Sequence, residues 1–351
     1  MLAALWYGPN DLRLENKPVP EVPPGAVLVK VKACAICGSD LRIMGEGNSR
    51  INPPRILGHE IAGEIVELGA GVNNYALGDR VSTGADIPCG KCNHCKSGQP
   101  NCCDTNLAIG YQFDGGFAEY VLLNSLVVKH GPMQKFSKNL SWNYAALAEP
   151  LACCINGYER AFYDQGMGGT IVIFGAGPIG LMLLMLGKNY YKVDQIVIVE
   201  PSKIRRQLAS QLGANLVIDP AESDPVQLVM DFTNQQGANL IFTACPIVKT
   251  HTQAIQIVAK RGVVNFFGGV SKMDLPISVL SNFIHYREAY ITGSHGCTPK
   301  QHSLALELID TGVMDMSKIV SKTVSLSNII DGFANASSGK LAKIIITPEI
   351  K

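Results

Sequence analysis

TIVIFGAGPIGLMLLML, residues 170–186, holds three signals in one segment. TIVIF is a continuous β-branched and aromatic run without polar alternation, as expected of a strand buried on both faces of a parallel sheet. GAGPIG follows at once, and from Pro178 an apolar run of helical length begins. Strand, glycine turn and helix together predict the first half of a βαβ unit. Within the turn, Gly175, Gly177 and Gly180 stand in G-x-G-x-x-G spacing. That spacing is weak evidence by itself and gains weight from sitting between a buried-type strand and a helix.

The same alternation continues downstream. QIVIVE (195–200) reads as a strand, SKIRRQLASQLG (202–213) as a helix, and NLVID (215–219), NLIFTAC (239–245) and GVVNFFG (262–268) as further strands. Upstream, residues 1–130 are β-rich: AVLVKVKA (26–33), IAGEIVEL (61–68) and FAEYVLL (117–123) are separated by Gly and Pro turns. The C-terminal part carries a helical pattern near 301–312 and a last strand, AKIIITP (342–348). A chain of 351 residues exceeds one ordinary core. The expected fold class is α/β: a Rossmann-type doubly wound parallel sheet over residues 153–289, inserted into a β-rich domain made of 1–152 and 290–351.

The glycines have separate physical roles in a dinucleotide site. Gly175 permits the tight turn, Gly177 lets backbone amides approach a pyrophosphate, and Gly180 lets the helix close onto the sheet. The helix starts at Pro178, which has no N–H, and the amides of Ile179 and Gly180 with the positive potential of the helix start face that anion. Glu200 ends the next strand, 25 residues after Gly175. A carboxylate there accepts ribose hydroxyls and repels a 2′-phosphate, which favours NAD over NADP. Arg205 is a candidate cofactor contact, and with Arg206 the pair is also suited to a 2′-phosphate. The plain alternative is a glycine turn that only packs helix on strand.

Composition narrows the rest. Hydrophobic residues make up 47% and charged residues 17%, a globular balance. Lys plus Arg is 30 against Asp plus Glu 29, which argues against a chain-wide electrostatic grip on nucleic acid or membrane. No basic leader precedes an apolar core at the N-terminus, and IGLMLLMLG (179–187) is far short of a membrane span, so a cytoplasmic protein is expected. The cysteine count is eleven, an odd number that cannot pair completely. Four of them, Cys89, Cys92, Cys95 and Cys103, follow a C-x2-C-x2-C-x7-C spacing. Four thiolates close a tetrahedral shell with no position left for substrate, so the lobe predicts a structural zinc, against the alternatives of disulfides or unligated thiols. Cys102 adjoins Cys103, and Cys103 is taken as the fourth ligand.

Further possible donors are scattered: Cys37 in ACAICGSD, His59 and Glu60 in GHEIAGEIVELGAGV, and Glu149 in ALAEPLACC. A lone buried His or a Glu before Pro usually has a structural role. With the GDRV turn (78–81), the cysteine lobe, DGGFAEY (114–120), the Gly175 turn and GK-x-x-K at 339–343, however, the chain resembles the zinc-containing medium-chain dehydrogenases along nearly its whole length. The resemblance implies a GroES-like β-rich catalytic domain beside the Rossmann-type domain, two zinc ions per chain, NAD, and a homo-oligomer, tetramer before dimer. Glu-Pro-Leu at 149–151 looks like the polyol branch. By that resemblance Cys37, His59 and Glu149 surround the catalytic zinc, Glu60 is a direct, water-bridged or exchanging carboxylate, and Ser39 takes the alcohol proton. The resemblance also implies that Tyr111 and Phe113 line the substrate pocket, against the alternative of ordinary loop packing.

Two departures bear on the substrate. Where many members carry a His five residues after the zinc Cys, this chain has Arg42, whose guanidinium cannot deprotonate. Arg42 is suited to an anion on cofactor or substrate, or to a surface pairing with Asp40 or Glu46. The pocket segment ITGSHGCTPKQH (291–302) offers His295 where sorbitol-type enzymes carry an Arg. EPLACC also differs from the threonine dehydrogenase pattern, so that subgroup is expected to fit less well. The expected activity is oxidation of a secondary alcohol of a polyol, sugar or sugar derivative by NAD. The alternatives are a polyol-phosphate (galactitol-1-phosphate-like) enzyme using Arg42, a threonine or butanediol type, and a non-catalytic NAD or redox sensor.

Overall fold

The computed structural model describes residues 1–270, 276–279 and 281–348. The chain forms two compact units, one of Met1–Cys153 with Gly296–Lys351, the other of Cys154–His295.

The second unit is built on a six-stranded sheet in the order Leu216–Ile218, Gln195–Val199, Thr170–Phe174, Ala238–Thr243, Val258–Phe266, Tyr290–Gly293, every pairing parallel. Thr170–Phe174 is central, with Ile171 opposite Ile196 on one side and Leu240 on the other. All five of its residues are buried, which is why it reads as an uninterrupted apolar run. The helix Pro178–Leu186 follows with Gly177 as its N-cap, and its residues from Gly180 to Leu186 are all buried. The strand order reverses beside the first strand, at the point where parallel sheets of this kind bind ligands.

Three details differ from the expectation. Tyr290–Gly293 pairs with Val258–Phe266 and so extends this sheet, whereas residue 290 was expected to begin the returning segment. That strand is mostly exposed, and its short pattern YITG carries no buried-strand signal. Val258–Phe266 starts before GVVNFFG, because a register shift with Arg261 at φ +60° interrupts the pairing in between. NLIFTAC leaves the sheet after Thr243: a side chain on Gly175 would come within 3.1 Å of Cys245 Cβ, so the chain turns there beside the glycine loop.

The first unit holds a seven-stranded sheet. Its main path runs Met133–Lys135, Arg80–Thr83, Glu60–Leu68, Val27–Ala35, Lys343–Thr347, Val320–Ser325, and Tyr120–Leu123 also pairs with Val27–Ala35. Val27–Ala35 and Glu60–Leu68 lie antiparallel, with Ala35 opposite Glu60. Lys343–Thr347, from the far end of the sequence, pairs with Cys34 and Ala35. This return brings Lys343 to the end of the sheet where Glu60 begins. Val27, Val29, Val31, Ile61, Ile65, Phe117, Ile344 and Ile346 share one apolar core. Among the described residues no helix is long and apolar enough to cross a membrane.

Candidate functional site

In the first unit, one donor cluster gathers where Val27–Ala35 ends and Glu60–Leu68 starts. Cys37 is the N-cap of the helix Gly38–Glu46, with its backbone N–H donating to Asp40 Oδ2 at 2.9 Å. Ligand atoms of Cys37, His59 and Glu60 all lie within 4.8 Å of one another. His59 Nε2 is 3.4 Å from Ser39 Oγ, and its Nδ1 is 3.6 Å from Asp40 Oδ1. Glu60 Oε1 accepts from Lys343 Nζ at 2.6 Å, in a pair with side chains only 0% and 3% exposed.

The electrostatics of this cluster favour a cation. Burial alone would lower the His59 pKa, yet the Asp40 carboxylate, Cys37 and Glu149 raise it well above the ordinary value. The field that favours a proton there also favours a metal ion. Burial pushes the Glu60 carboxyl upward against the pull of the Lys343 ammonium, and that ammonium is held protonated by Glu60 against its own burial. Glu60 Oε2 is buried without a hydrogen-bond partner, whereas His59 Nδ1, also outside hydrogen-bond distance of any acceptor, has the Asp40 carboxylate beside it. Polar atoms orphaned in this way are costly unless a further ligand meets them. A soft thiol, an imidazole and a hard oxygen in mutual reach are the donor types that zinc takes.

Glu149 stands in the first turn of the helix Ala148–Arg160, 6% exposed. It lies outside the mutually close trio but near enough for its charge to act on His59. Burial raises its carboxyl pKa to about 7. Gly84 makes room for its stem, since a side-chain carbon there would sit 3.0 Å from Glu149 Cγ. The Tyr111 ring is 6.2 Å from the His59 ring, and the Arg50 guanidinium lies 5.0 Å over Tyr111. Phe113 is half-buried against the core of this unit. Arg42 is exposed on the Gly38–Glu46 helix. His295 belongs to the second unit, where its carbonyl accepts from Asn156 Nδ2 at 3.2 Å. The sequence reading gave Asp40, Lys343 and Arg50 no place at this site. Asp40 had a local signal, because it completes a capping box with Cys37.

The four-cysteine lobe is a second cluster. The sulfurs of Cys89, Cys92, Cys95 and Cys103 lie within 4.8 Å of one another, and Cys92 and Cys103 are 3.9 Å apart. A tetrahedral ion with Zn–S bonds of about 2.3 Å spaces its sulfurs about 3.8 Å apart, so the lobe has the size of a zinc site. Backbone N–H groups of Cys89 and Cys92 donate to the sulfurs of Cys103 and Cys89. Burial would raise the Cys103 thiol, but Thr105 and the Cys89 amide bring it down to about 6. Burial and the Cys92 thiol push Cys95 up to about 12. Cys102 is exposed and outside the set. None of the eleven cysteines is in a disulfide.

The second unit carries the glycine turn. Gly175 has φ +99°, and a side chain on it would meet Ala244 O at 3.0 Å. A side chain on Gly180 would fall 1.9 Å from Gly175 O. Around Gly177 the space is open, and the nearest atom to such a side chain would be an Arg205 guanidinium nitrogen at 3.9 Å. Glu200 accepts from the Ala176 amide at 2.7 Å and the Ser202 amide at 2.9 Å, so its carboxylate braces the turn. Each oxygen keeps a second acceptor site. Arg206 is committed to the Glu200 and Pro201 carbonyls and to Asp219, whereas Arg205 Nε is buried without a partner.

Known proteins resemble this chain along nearly its whole length. Residues 23–132 match the alcohol dehydrogenase GroES-like domain and residues 178–311 the zinc-binding dehydrogenase domain. An L-threonine 3-dehydrogenase from Pyrococcus furiosus is 35% identical, covering 93% of this chain and 92% of its own length. A sorbitol dehydrogenase from Bacillus subtilis is 30% identical, covering 99% and 97%. A zinc-binding dehydrogenase structure from Sinorhizobium meliloti, bound to NADP, superposes with a TM-score of 0.90 at 29% identity, covering 99% of both chains. Whole-chain identity is therefore higher to this threonine enzyme than to this sorbitol enzyme, the reverse of the order expected from EPLACC alone. Six residues weigh little against the many positions that set the fold. With both domains matched and relatives aligned over nearly its full length, the chain belongs to the zinc-dependent medium-chain dehydrogenase family and is an NAD(P)-linked alcohol dehydrogenase of that family.

Proposed function

We propose that the enzyme uses NAD to oxidise a secondary hydroxyl of a polyol, sugar or sugar derivative to the ketone. The observation that carries this reading is the close trio of half-buried Cys37 and buried His59 and Glu60, with Ser39 and Glu149 alongside. Cys37, His59 and Glu149 would hold the catalytic zinc, with Glu60 exchanging, and Cys89, Cys92, Cys95 and Cys103 a structural zinc. When bound, the catalytic zinc stabilises negative charge on the substrate oxygen at neutral pH, and the dinucleotide accepts the hydride.

The remaining work falls to the chain. Asp40 braces the Cys37 amide and faces His59 Nδ1, which sets the imidazole. Ser39 Oγ, beside His59, takes the alcohol proton and passes it outward. Arg42 cannot receive it, so the relay ends in solvent. Tyr111 and Phe113 give the substrate an apolar wall. Glu200 accepts the adenosine ribose hydroxyls and disfavours a 2′-phosphate, while Arg205 and the amides at Gly177 and Ile179 face the phosphates. The polyol class is favoured by Glu-Pro-Leu at 149–151 and the sorbitol dehydrogenase relative.

NADH absorbance on a panel of polyols, polyol phosphates and L-threonine, with zinc counted on the same sample, tests the reading. The expected outcome is about two zinc ions per chain and turnover greatest with a neutral secondary polyol. Preference for a phosphate or for threonine would move the substrate class. One zinc and no hydride transfer with any of them would make the protein a sensor and overturn the proposal.

A further inference from the structure

Glu149 has a partner of its own on the helix Ala148–Arg160. Cys153 stands four residues on, one turn along the same face. Its thiol donates to Glu149 Oε1 at 3.6 Å, within the reach of a sulfur donor. Cys153 in turn is in hydrogen-bond contact with the thiol of Cys297, which is 2% exposed. The backbone N–H of Cys297 donates to Asp86 Oδ2 at 3.2 Å, and that anchors the second thiol. Glu149 is thus placed by its neighbours: Gly84 makes the room that its stem occupies, and Cys153, backed by Cys297, meets its carboxylate. A buried carboxylate is costly unless it is hydrogen-bonded or paired, and the Cys153 thiol supplies one such bond.

We propose that Cys153 is a positioning residue for Glu149, holding one carboxylate oxygen along the helix turn so that the other is presented to the catalytic metal. The proposal rests on the reading of Glu149 as a metal ligand. A thiol suits the task because it is a weak donor. It orients the carboxylate without neutralising the charge that the metal needs. Hydrogen bonds to ligating groups commonly change metal affinity by about 10- to 100-fold when removed.

The test is the rate at which a chelator removes the catalytic metal from holoenzyme, together with the visible spectrum after cobalt(II) replaces zinc there. Cys153→Ala and Cys153→Ser shorten the side chain to nearly the same volume, and only Cys153→Ser keeps a donor. Positioning predicts release about 10-fold faster and an altered cobalt spectrum in Cys153→Ala, with Cys153→Ser close to wild type. A packing role predicts the same change in both, and that result would overturn the proposal. Zinc in the four-cysteine lobe and dinucleotide binding report folding, and if Cys153→Ala fails either control, Cys153→Val against Cys153→Thr, a second pair matched in volume, decides by the same criteria. Glu149→Gln separates the two readings. If it speeds release while Cys153→Ala does not, only the positioning role falls; if it has no effect, Glu149 is not a ligand and both fall.

Discussion

Lys343 shows how one residue can matter without any local sequence signal. In the sequence it belongs to GK-x-x-K, a marker of strand entry, and nothing there names its partner. The fold carries it 283 positions back along the chain to Glu60, with both side chains almost fully removed from water. Breaking such a pair leaves one charge buried alone, at a typical cost of about 3–5 kcal/mol. Lys343→Met is therefore expected to lower unfolding free energy by about that amount. Adding Glu60→Gln to it should recover a large part, because the orphaned charge is then gone. Urea unfolding of the three proteins measures this. A loss below about 1 kcal/mol in Lys343→Met would mean that Glu60 is neutral in the folded protein or finds another cation.

At the scale of elements, the helix Pro299–Asp310 brings a buried imidazole into the first unit. His302 is 0% exposed, its Nε2 is 3.3 Å from Ser82 Oγ, and its Nδ1 has no hydrogen-bond partner. Ser82 Oγ itself donates to Ala145 O, so the imidazole is the donor in their contact and carries its proton on Nε2. Burial pushes the His302 pKa down to about 3, from an ordinary 6.5. Below pH 6.5 the unfolded chain therefore takes up a proton that the folded protein refuses. Stability contributed by neutral His302 is whole above that pH and declines as acid is added, by at most about 1.4 kcal/mol per pH unit, until the folded pKa is reached. His302→Leu should flatten the fall in urea midpoint between pH 7 and pH 5; an unchanged slope would show that His302 is protonated or solvated when folded. Elements differ in how openly the sequence announces them. The glycine turn and the cysteine lobe were legible because each is one short segment whose spacing is its geometry. The trio at Cys37 was legible only by resemblance, since its members come from a helix cap and the start of a strand. His302 and Tyr290–Gly293 were not read, and Asp40, which is buried, was read only as a possible surface partner of Arg42, because a buried polar group on a helix, a short exposed strand and a cap partner look like ordinary surface sequence.

At the scale of the whole molecule, the two kinds of chemistry lie in different compact units. Both donor clusters, with Glu149, belong to Met1–Cys153 and Gly296–Lys351, and the glycine turn with Glu200 and Arg205 belongs to Cys154–His295. Each unit has a core of its own, so damage to one site need not unfold the other. Cys37→Ser removes the sulfur donor from the trio of Cys37, His59 and Glu60. It should lower the zinc content from about two to about one per chain and abolish turnover. NADH affinity, read from fluorescence titration, should stay within about 3-fold of wild type, a shift of under 1 kcal/mol. Gly180→Ala makes the opposite separation. Its new methyl would overlap Gly175 O, which forces the helix Pro178–Leu186 off the turn. Both zinc ions should remain, while NADH binding weakens by about 10-fold or more, equivalent to at least 1.4 kcal/mol. If Cys37→Ser lost NADH binding as severely as Gly180→Ala, the two sites would share one structural fate and the division of labour between the units would be wrong.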